Sequence, residues 1–273
     1  MTVEKIDLYE YFGVEKPQGA KAFLTSYVRY QSPEFCNGRL RPAMLVIPGG
    51  GYAMISDREG EPVALAYLEK GYNAFVLDYS VAPTEYPSQL LEGCMAMAYI
   101  KENAEKLNID KNHVAAIGFS AGGHLCGMLA TLTGEKTVKD CLGEHSVNCR
   151  PDAVVLAYPV IKYGDEMHKG SFDNLCGDDE SLKKYLSLEK RVDDNCVPAE
   201  NSLVMAEAYK NHKIPFELHI YRSAIHGASV ATKEIVAANY PKEVINGYVK
   251  PHVAKWVETS LEFLSELGFD III

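Results

Sequence analysis

Residues 113–131 read HVAAIGFSAGGHLCGMLAT and join a short apolar run, a glycine-flanked turn and a helical repeat. The apolar run at 114–119 predicts a buried strand, and the residues after Gly122 predict a helix. Between a strand and a helix, the string G-x-S-x-G holds its serine on a strained turn, where it can act as a nucleophile. The first N–H groups of the helix would favour negative charge beside Ser120. The alternative is a serine that only caps a closely packed helix.

A second glycine-rich turn follows another apolar run. Residues 43–47 (AMLVI) predict a buried strand that leads directly into Pro48-Gly49-Gly50-Gly51-Tyr52. In a parallel α/β sheet, ligands bind at the carboxyl ends of the strands. Both this turn and Ser120 stand at such ends, and this coincidence predicts a site between them.

The rest of the chain alternates between predicted strands and helices, which is the pattern of a parallel sheet covered on both faces. Further strands are predicted at residues 22–30, 73–79, 153–158 and 216–221. Helices are predicted at residues 56–70, 87–107, 199–211 and 253–267. We therefore predict a single α/β domain over residues 1–273.

Residues 161–190 interrupt this alternation. They are mostly polar and contain one short helical stretch. Because a long loop in a compact domain is usually functional, we predict an insertion or cap-like segment that lies over the site. The alternative is a solvated excursion of the surface.

Composition and charge narrow the classes of partner. With 47% hydrophobic and 23% charged residues, the chain has an ordinary globular composition. Its formal net charge of −10 disfavours nucleic acid and anionic membranes, so the expected partner is a neutral small molecule, and a homo-oligomer stays open. The seven cysteines are scattered without C-x-x-C spacing, and neither a signal-like N-terminus nor a membrane-length apolar run is visible. These features predict reduced thiols and a cytoplasmic location.

A serine nucleophile needs an adjacent base and an acid that orients the base. Of the eight histidines, His226 follows a predicted strand, precedes a glycine and comes after Ser120, in the order serine, acid, histidine of this type of fold. His124 lies one helical turn after Ser120 and is expected to pack or to cap there. Asp193 and Asp194 are the best-placed acids, although an Asp pair ahead of a proline is also an ordinary turn signal.

Backbone N–H groups would complete such a site. Those of Gly50, Gly51 and Ala121 could converge on the charge that develops during acyl transfer. Glycine allows a close backbone approach that any side chain would block. A phosphate cradle is the alternative for a glycine-rich loop, but no G-x-G-x-x-G string and no Lys-Ser/Thr pair accompany this one.

With these motifs in place, the chain resembles the α/β-hydrolase superfamily. It is similar to esterases with a glycine-rich oxyanion loop and, among them, to the cytoplasmic acetylxylan-esterase-like or carbohydrate acetyl-esterase group. These esterases are related to the hormone-sensitive-lipase-like enzymes, which carry histidine at the position of Pro48; proline at this position is typical of the acetyl-esterase group. The resemblance extends over most of the chain beyond residue 40 and is carried by PGGGYAMISDREGEPVALAYLEKGYNAFVLDYSVAP (48–83), YP (86–87), NIDKNHVAAIGFSAGGHL (108–125), DDNCVPAENSL (193–203) and PFELHIYRSAIHGAS (215–229).

The resemblance implies a fold, a reaction and a set of residue roles. The fold would be an α/β hydrolase with a mostly parallel central sheet and helices on both faces. The reaction would be the hydrolysis of acetyl or other short-chain esters of carbohydrates, with no metal or organic cofactor. The implied roles are nucleophile for Ser120, acid for Asp194, base for His226 and oxyanion donors for Gly50, Gly51 and Ala121.

One segment departs from the family pattern. The group usually has an apolar strand just before the acid, whereas here LSLEKRV (186–192) runs directly into Asp193. Either residues 185–192 form a substitute strand, or the sheet lacks one member and the acid is misplaced. Two alternatives therefore stay beside the esterase: a hydrolase-fold binding protein with impaired catalysis, and a peptidase or lactonase on the same scaffold.

Overall fold

The computed structural model describes residues 1–34, 38–164, 169–188, 200–221, 225–237 and 239–271. Its strands are β1 (Thr2–Asp7), β2 (Phe23–Val28), β3 (Arg41–Ile47), β4 (Asn73–Asp78), β5 (Ile109–Phe119) and β6 (Ala153–Ala157). Its α-helices are α1 (Leu8–Phe12), α2 (Glu61–Glu69), α3 (Ser88–Glu102), α4 (Ala104–Leu107), α5 (Ala121–Thr131), α6 (Lys136–Leu142), α7 (Lys169–Cys176), α8 (Glu180–Tyr185), α9 (Glu200–Asn211), α10 (Lys242–Tyr248), α11 (Pro251–Ala254) and α12 (Trp256–Glu266).

The strands form one sheet in the order β1-β2-β4-β3-β5-β6. The four strands β4, β3, β5 and β6 run parallel, and β2 and β1 add to one edge as antiparallel neighbours. Every residue of β3 is buried, and after Arg41 the strand is apolar, as expected of a strand that is covered on both faces. The mostly parallel sheet with helices that the sequence predicts is therefore confirmed.

Two apolar cores cover the faces of this sheet. Successive side chains of a strand point to opposite faces, so Leu45 and Ile47 enter one core while Met44 and Val46 enter the other. Helices α3 and α5 pack on the first face, and α2 and α12 pack on the second. The carboxyl ends of β3 and β5 are thereby held side by side, with Ile47 opposite Gly118 in the ladder.

The helix predicted at residues 56–70 begins later in the structure than the prediction has it. Ser56 makes no side-chain capping bond, and a short 3-10 turn at Asp57–Glu59 comes first. Gly60, with φ −98° and ψ −101°, separates that turn from α2, which begins at Glu61. Glu59, the last residue before this break, is only 3% exposed. The turn therefore places a carboxylate in the interior, where a regular surface helix would have kept it in water.

Two further predicted helices are each divided. The helix predicted at residues 87–107 is α3 and α4, because Asn103 leaves the helical conformation between them with φ −96° and ψ 14°. The helix predicted at residues 253–267 is α11 and α12, with Lys255 between them. Apolar spacing continues across these short interruptions, so periodicity does not locate them.

The edges of the sheet differ most from the sequence prediction. Strand β1 is not among the predicted strands, and residues 216–221, predicted as a strand, pair with no strand of the described sheet. Apolar and aromatic residues alone do not make a strand when no ladder partner is present. All five residues of β6, the last strand of the described sheet, are partly exposed. A cleft of about 1110 Å³ runs along β6, and residues 214–221 line its other side.

The described part of the predicted insertion, residues 161–164 and 169–188, lies against the protein. Helix α7 packs on the first core through Phe172 and Leu175, and Leu186, directly after α8, joins the same core. Tyr185 ends α8, so the substitute strand does not begin there, and residues 165–168 and 189–192 lie outside the described residues. Within the described ranges, no helix combines the length and the apolar character that a membrane crossing requires.

Candidate active site

The turn between β5 and α5 consists of a single residue, Ser120. Ser120 has φ 52° and ψ −118°, a strained conformation for a residue other than glycine. Flanking glycines make the turn sterically feasible, because a Cβ at Gly118 would lie 2.2 Å from the Gly122 carbonyl oxygen. A Cβ at Gly122 would lie 2.2 Å from the Ile47 carbonyl oxygen. The G-x-S-x-G string thus folds as the sharp strand-to-helix turn that its spacing predicts.

The Ser120 hydroxyl contacts an imidazole. His226 Nε2 lies 2.8 Å from Ser120 Oγ, although 106 residues separate the two in the chain. Ser120 is 6% exposed, whereas His226 lies at the surface. When the ring proton is on Nδ1, Nε2 accepts the serine hydroxyl, which is the arrangement of a base beside a serine nucleophile.

The glycine loop (residues 48–52) packs directly against this turn. A Cβ at Gly49 would lie 2.9 Å from the Ser120 Cβ, so only glycine fits there. Gly50 and Gly51 have φ 130° and 66°, and a Cβ at Gly50 would come within 2.0 Å of a backbone carbonyl oxygen. In the described part of the chain, the N–H groups of Gly50, Gly51 and Ala121 donate to no other backbone group. Such uncommitted donors beside a nucleophile are what a developing oxyanion requires.

A buried carboxylate supports the glycine loop. Glu59 Oε2 accepts the Gly49 N–H at 2.8 Å, and Glu59 Oε1 accepts the Tyr158 hydroxyl at 2.8 Å. Burial raises the pKa of Glu59 above its usual value, while the bonds from Tyr158 and Gly49 oppose that rise. Donors on both oxygens favour the charged form of a carboxyl group.

Tyr158 continues this network to the histidine loop (residues 225–231). Its hydroxyl oxygen accepts the Ser229 N–H at 3.0 Å, and its ring centroid lies 4.9 Å from that of His226. Ser229 Oγ donates to the Arg58 carbonyl oxygen at 2.5 Å. Tyr158 has φ 36°, a second strained residue at the carboxyl edge of the sheet. The histidine loop is therefore tied to the same 3-10 turn that carries Glu59.

The second histidine near the serine is part of the core. His124 is 1% exposed, with Nδ1 2.9 Å from the Tyr52 hydroxyl and Nε2 2.7 Å from the Leu186 carbonyl oxygen. Because a carbonyl only accepts, Nε2 carries the ring proton, and Nδ1 accepts the Tyr52 hydroxyl. Burial lowers the pKa of His124 to about 4, against the opposing effect of the bond to Leu186, so the ring is neutral near pH 7.

The predicted insertion contributes contacts to the same region. Asn174 Nδ2, on α7, donates to the Gly51 carbonyl oxygen at 2.9 Å. The Phe172 ring packs at 5.1 Å from the ring of His124. The described part of the insertion therefore contacts both the glycine loop and α5. It binds the carbonyl oxygen of Gly51 and leaves the Gly51 N–H group without a backbone acceptor in the described part of the chain.

The structure brings together five of the six predicted site residues, which lie in the turn between β5 and α5, at the start of α5 and in two loops. The sixth, Asp194, and its neighbour Asp193 lie outside the described residues. In the part of the chain that the structure covers, no group of three or more His, Cys, Asp or Glu side chains could hold a metal ion.

Glu59 and Tyr158 belong to this site but are not among the residues that the sequence motifs indicate. Glu59 follows Ser-Asp-Arg, a string typical of a solvated helix start, and nothing near it in the chain indicates burial. Tyr158 stands at the carboxyl end of a predicted strand, the edge where ligand-binding residues collect, and that position was the available signal.

Comparison with known proteins gives these features a context. The BD-FAE family model matches residues 31–208. Over 215 residues, 71% of this chain, the sequence is 40% identical to endo-1,4-beta-xylanase B of Butyrivibrio fibrisolvens, of which the match covers 33%. Over 221 residues, 73% of this chain, it is 28% identical to acetylxylan esterase of Xylanibacter ruminicola, of which the match covers 43%. The chain thus spans less than half the length of these two relatives.

A solved structure matches over nearly the full length of both chains. The acetyl ester-xyloside bifunctional hydrolase from Caldicellulosiruptor lactoaceticus superimposes with a TM-score of 0.79 at 32% sequence identity. The superposition covers 98% of this chain and 97% of that enzyme. The likeness therefore includes the sheet, the glycine loop and the helices that hold the serine turn.

Proposed function

Because this chain belongs to the BD-FAE family of α/β hydrolases, as its motifs predict, we propose that it is a serine esterase that hydrolyses acetyl or other short-chain acyl esters of carbohydrates. The observation that carries the proposal is the 2.8 Å contact between His226 Nε2 and Ser120 Oγ. A serine held at φ 52° on a strand-to-helix turn, with an imidazole at hydrogen-bond distance, fits nucleophilic catalysis of acyl transfer.

Acylation would begin with attack of Ser120 Oγ on the ester carbonyl carbon. As the new C–O bond forms, His226 Nε2 takes the hydroxyl proton, and the carbonyl electron pair moves to the oxygen. The N–H groups of Gly50, Gly51 and Ala121 would stabilise that charge, each contributing about 2.7–4 kcal/mol to lowering the barrier. Collapse of the intermediate breaks the bond to the alcohol, which leaves with the proton from His226.

Deacylation repeats the sequence with water as the nucleophile. His226 takes a proton from the water as its oxygen attacks the acyl carbon, and it returns that proton to Ser120 Oγ when the acid product leaves. The proposal assigns Asp194 the task of orienting His226 through Nδ1, on the basis of its place in the D-x-x-V-P string. No step uses a metal or an organic cofactor.

The substrate class is supported by the relatives. An acetylxylan esterase and an acetyl ester-xyloside hydrolase are similar to this chain over most of its length. A net charge of −10 suits a neutral sugar ester better than an anionic one. The proposal also takes a cytoplasmic location from the cysteines, of which Cys94, Cys126, Cys141, Cys149 and Cys176 are free thiols.

The test compares Ser120→Ala with the unchanged protein on 4-nitrophenyl acetate and on acetylated xylo-oligosaccharides. We expect Ser120→Ala to lower kcat by about 10⁴-fold or more, because the nucleophile is lost. Ser26→Ala is the matched control, since Ser26 is also buried but lies on β2, away from the site. Equal background rates for the unchanged protein and Ser120→Ala would refute the esterase.

A binding protein on the hydrolase fold is the second candidate. In the described sheet, β6 has no neighbour on its outer edge. This favours a binding protein, because the loops of the site depend on the strands of the sheet for their support. It predicts measurable binding of an acetylated oligosaccharide to the unchanged protein without turnover. A peptidase or lactonase is separated by assaying a lactone and a peptide beside the sugar ester: turnover of either without turnover of the sugar ester would favour it.

A further inference from the structure

Three hydrogen bonds join the glycine loop to the histidine loop through two side chains. Gly49 N–H donates to Glu59 at 2.8 Å, the Tyr158 hydroxyl donates to Glu59 at 2.8 Å, and Ser229 N–H donates to Tyr158 at 3.0 Å. Gly49 directly precedes the two glycines with uncommitted N–H groups, and Ser229 follows the imidazole by three residues. One chain of bonds therefore runs from the loop that carries two of the proposed oxyanion donors to the loop that carries the proposed base.

We propose that Glu59 and Tyr158 are positioning residues of this site, which hold the oxyanion donors and His226 in register around Ser120. This role rests on the proposed esterase function. Neither residue would touch the reacting atoms. Each acts by fixing the backbone of a loop that does.

Tyr158 carries features that a simple scaffold residue does not need. Its backbone is strained at φ 36°, and such strain persists only when surrounding contacts hold it. Its ring packs against the ring of His226 in a tilted arrangement, with the centroids 4.9 Å apart and an interplanar angle of 60°. The same side chain thus restrains the position of the imidazole by ring contact and the position of the loop backbone by a hydrogen bond. A shift of about 1 Å in a catalytic group is enough to lower a rate by about 100-fold.

A glutamate suits position 59 because both groups that contact its carboxylate are hydrogen-bond donors. A carboxylate offers acceptors on each oxygen, so it satisfies the Gly49 N–H and the Tyr158 hydroxyl together. A glutamine offers one acceptor oxygen and one NH₂ group, so it leaves one of these two donors unpaired. The Cβ that a residue other than glycine would place at position 227 lies 4.0 Å from Glu59 Oε1 and 3.8 Å from Arg58, which shows how closely the histidine loop approaches the 3-10 turn that carries Glu59.

The experiment measures kcat and KM for Tyr158→Phe on 4-nitrophenyl acetate. Phenylalanine keeps the ring against His226 but removes both hydrogen bonds of the hydroxyl group. We expect kcat to fall by about 10- to 100-fold with KM within about twofold, because alignment rather than substrate binding is lost. Glu59→Gln should lower kcat in the same way, and the double variant should fall no further than the worse single variant.

Tyr67→Phe is the matched control. Tyr67 is fully buried on α2, and its hydroxyl bonds Ser260 Oγ at 2.8 Å, so the variant also removes one buried hydroxyl group. It should lower the thermal midpoint about as much as Tyr158→Phe but leave kcat unchanged. If Tyr158→Phe does not fold, Glu59→Gln carries the test.

The outcomes separate this role from the proposed function. A kcat within twofold of the unchanged protein for both Tyr158→Phe and Glu59→Gln, when Ser120→Ala is inactive, would overturn the positioning role and leave the esterase standing. Strictly additive losses in the double variant would also overturn it. No difference between the unchanged protein and Ser120→Ala would overturn both.

Discussion

Two histidines lie close to Ser120, and they differ in almost every physical respect. His124 is four residues away in the chain, is 1% exposed, and has both ring nitrogens bonded within the protein. His226 is 106 residues away, lies at the surface, and contacts Ser120 Oγ through Nε2. A base must exchange protons with substrate and water, which a fully bonded interior ring cannot do. The histidine next to Ser120 in sequence is therefore part of the core, whereas the distant His226 has the exposure and the contact that the proposed base requires.

The largest effect expected from this contrast is on turnover. His226→Ala should lower kcat by about 10⁴-fold, because the serine loses its general base. His219→Ala is the control, since His219 is an exposed histidine whose Nε2 contacts Glu217 at 2.9 Å. Initial rates on 4-nitrophenyl acetate measure both. A His226→Ala protein with the rate of the unchanged protein would remove His226 from the mechanism.

The buried histidine should instead determine acid stability. Burial lowers the pKa of His124 from 6.5 to about 4, so as pH falls the unfolded state binds a proton before the folded state does. Unfolding is therefore favoured progressively between about pH 6.5 and pH 4, by about 3 kcal/mol in all. His124→Gln keeps a donor for Leu186 and an acceptor for Tyr52 but does not titrate. Urea unfolding at pH 7 and pH 4 should show this difference between the two proteins, and identical pH dependence would contradict it.

The partner of His124 gives a smaller effect. Tyr52→Phe leaves the buried Nδ1 without the donor that lies 2.9 Å away, and should lower the free energy of unfolding by about 1–3 kcal/mol. Tyr11→Phe should change it by less than about 0.5 kcal/mol, because Tyr11 is 46% exposed. Equal stability losses in the two variants would show that the Tyr52–His124 bond is not a structural link.

The smallest effect concerns the hydrogen bond between α7 and the glycine loop. Asn174→Ala removes the donor 2.9 Å from the Gly51 carbonyl oxygen, and should lower kcat by about five-fold, in line with about 1 kcal/mol for one hydrogen bond. Asn148→Ala, which removes a surface contact to Glu102, is the control. An unchanged kcat for Asn174→Ala would show that α7 does not help to hold the oxyanion donors.

Sequence patterns predict those strands and turns whose conformation depends only on neighbouring residues in the chain. The apolar strands β3 and β5 and the Ser120 turn follow from short runs whose burial and steric needs are visible in sequence. The prediction of a strand at residues 216–221 is wrong, because a strand needs a pairing partner that lies elsewhere in the chain. The contact between Glu59 and Tyr158 spans 99 residues and joins a turn that resembles a helix start to a strand end. No single stretch of sequence carries that information.

The central claim is that Ser120 is a nucleophile activated by His226. The most direct measurement is intact-protein mass after incubation with a small fluorophosphonate, followed by peptide mapping. The account predicts one phosphonyl group per chain, located on Ser120, no adduct on Ser120→Ala and much slower labelling of His226→Ala. Labelling of Ser120→Ala at the same rate, or an adduct on another residue, would contradict it.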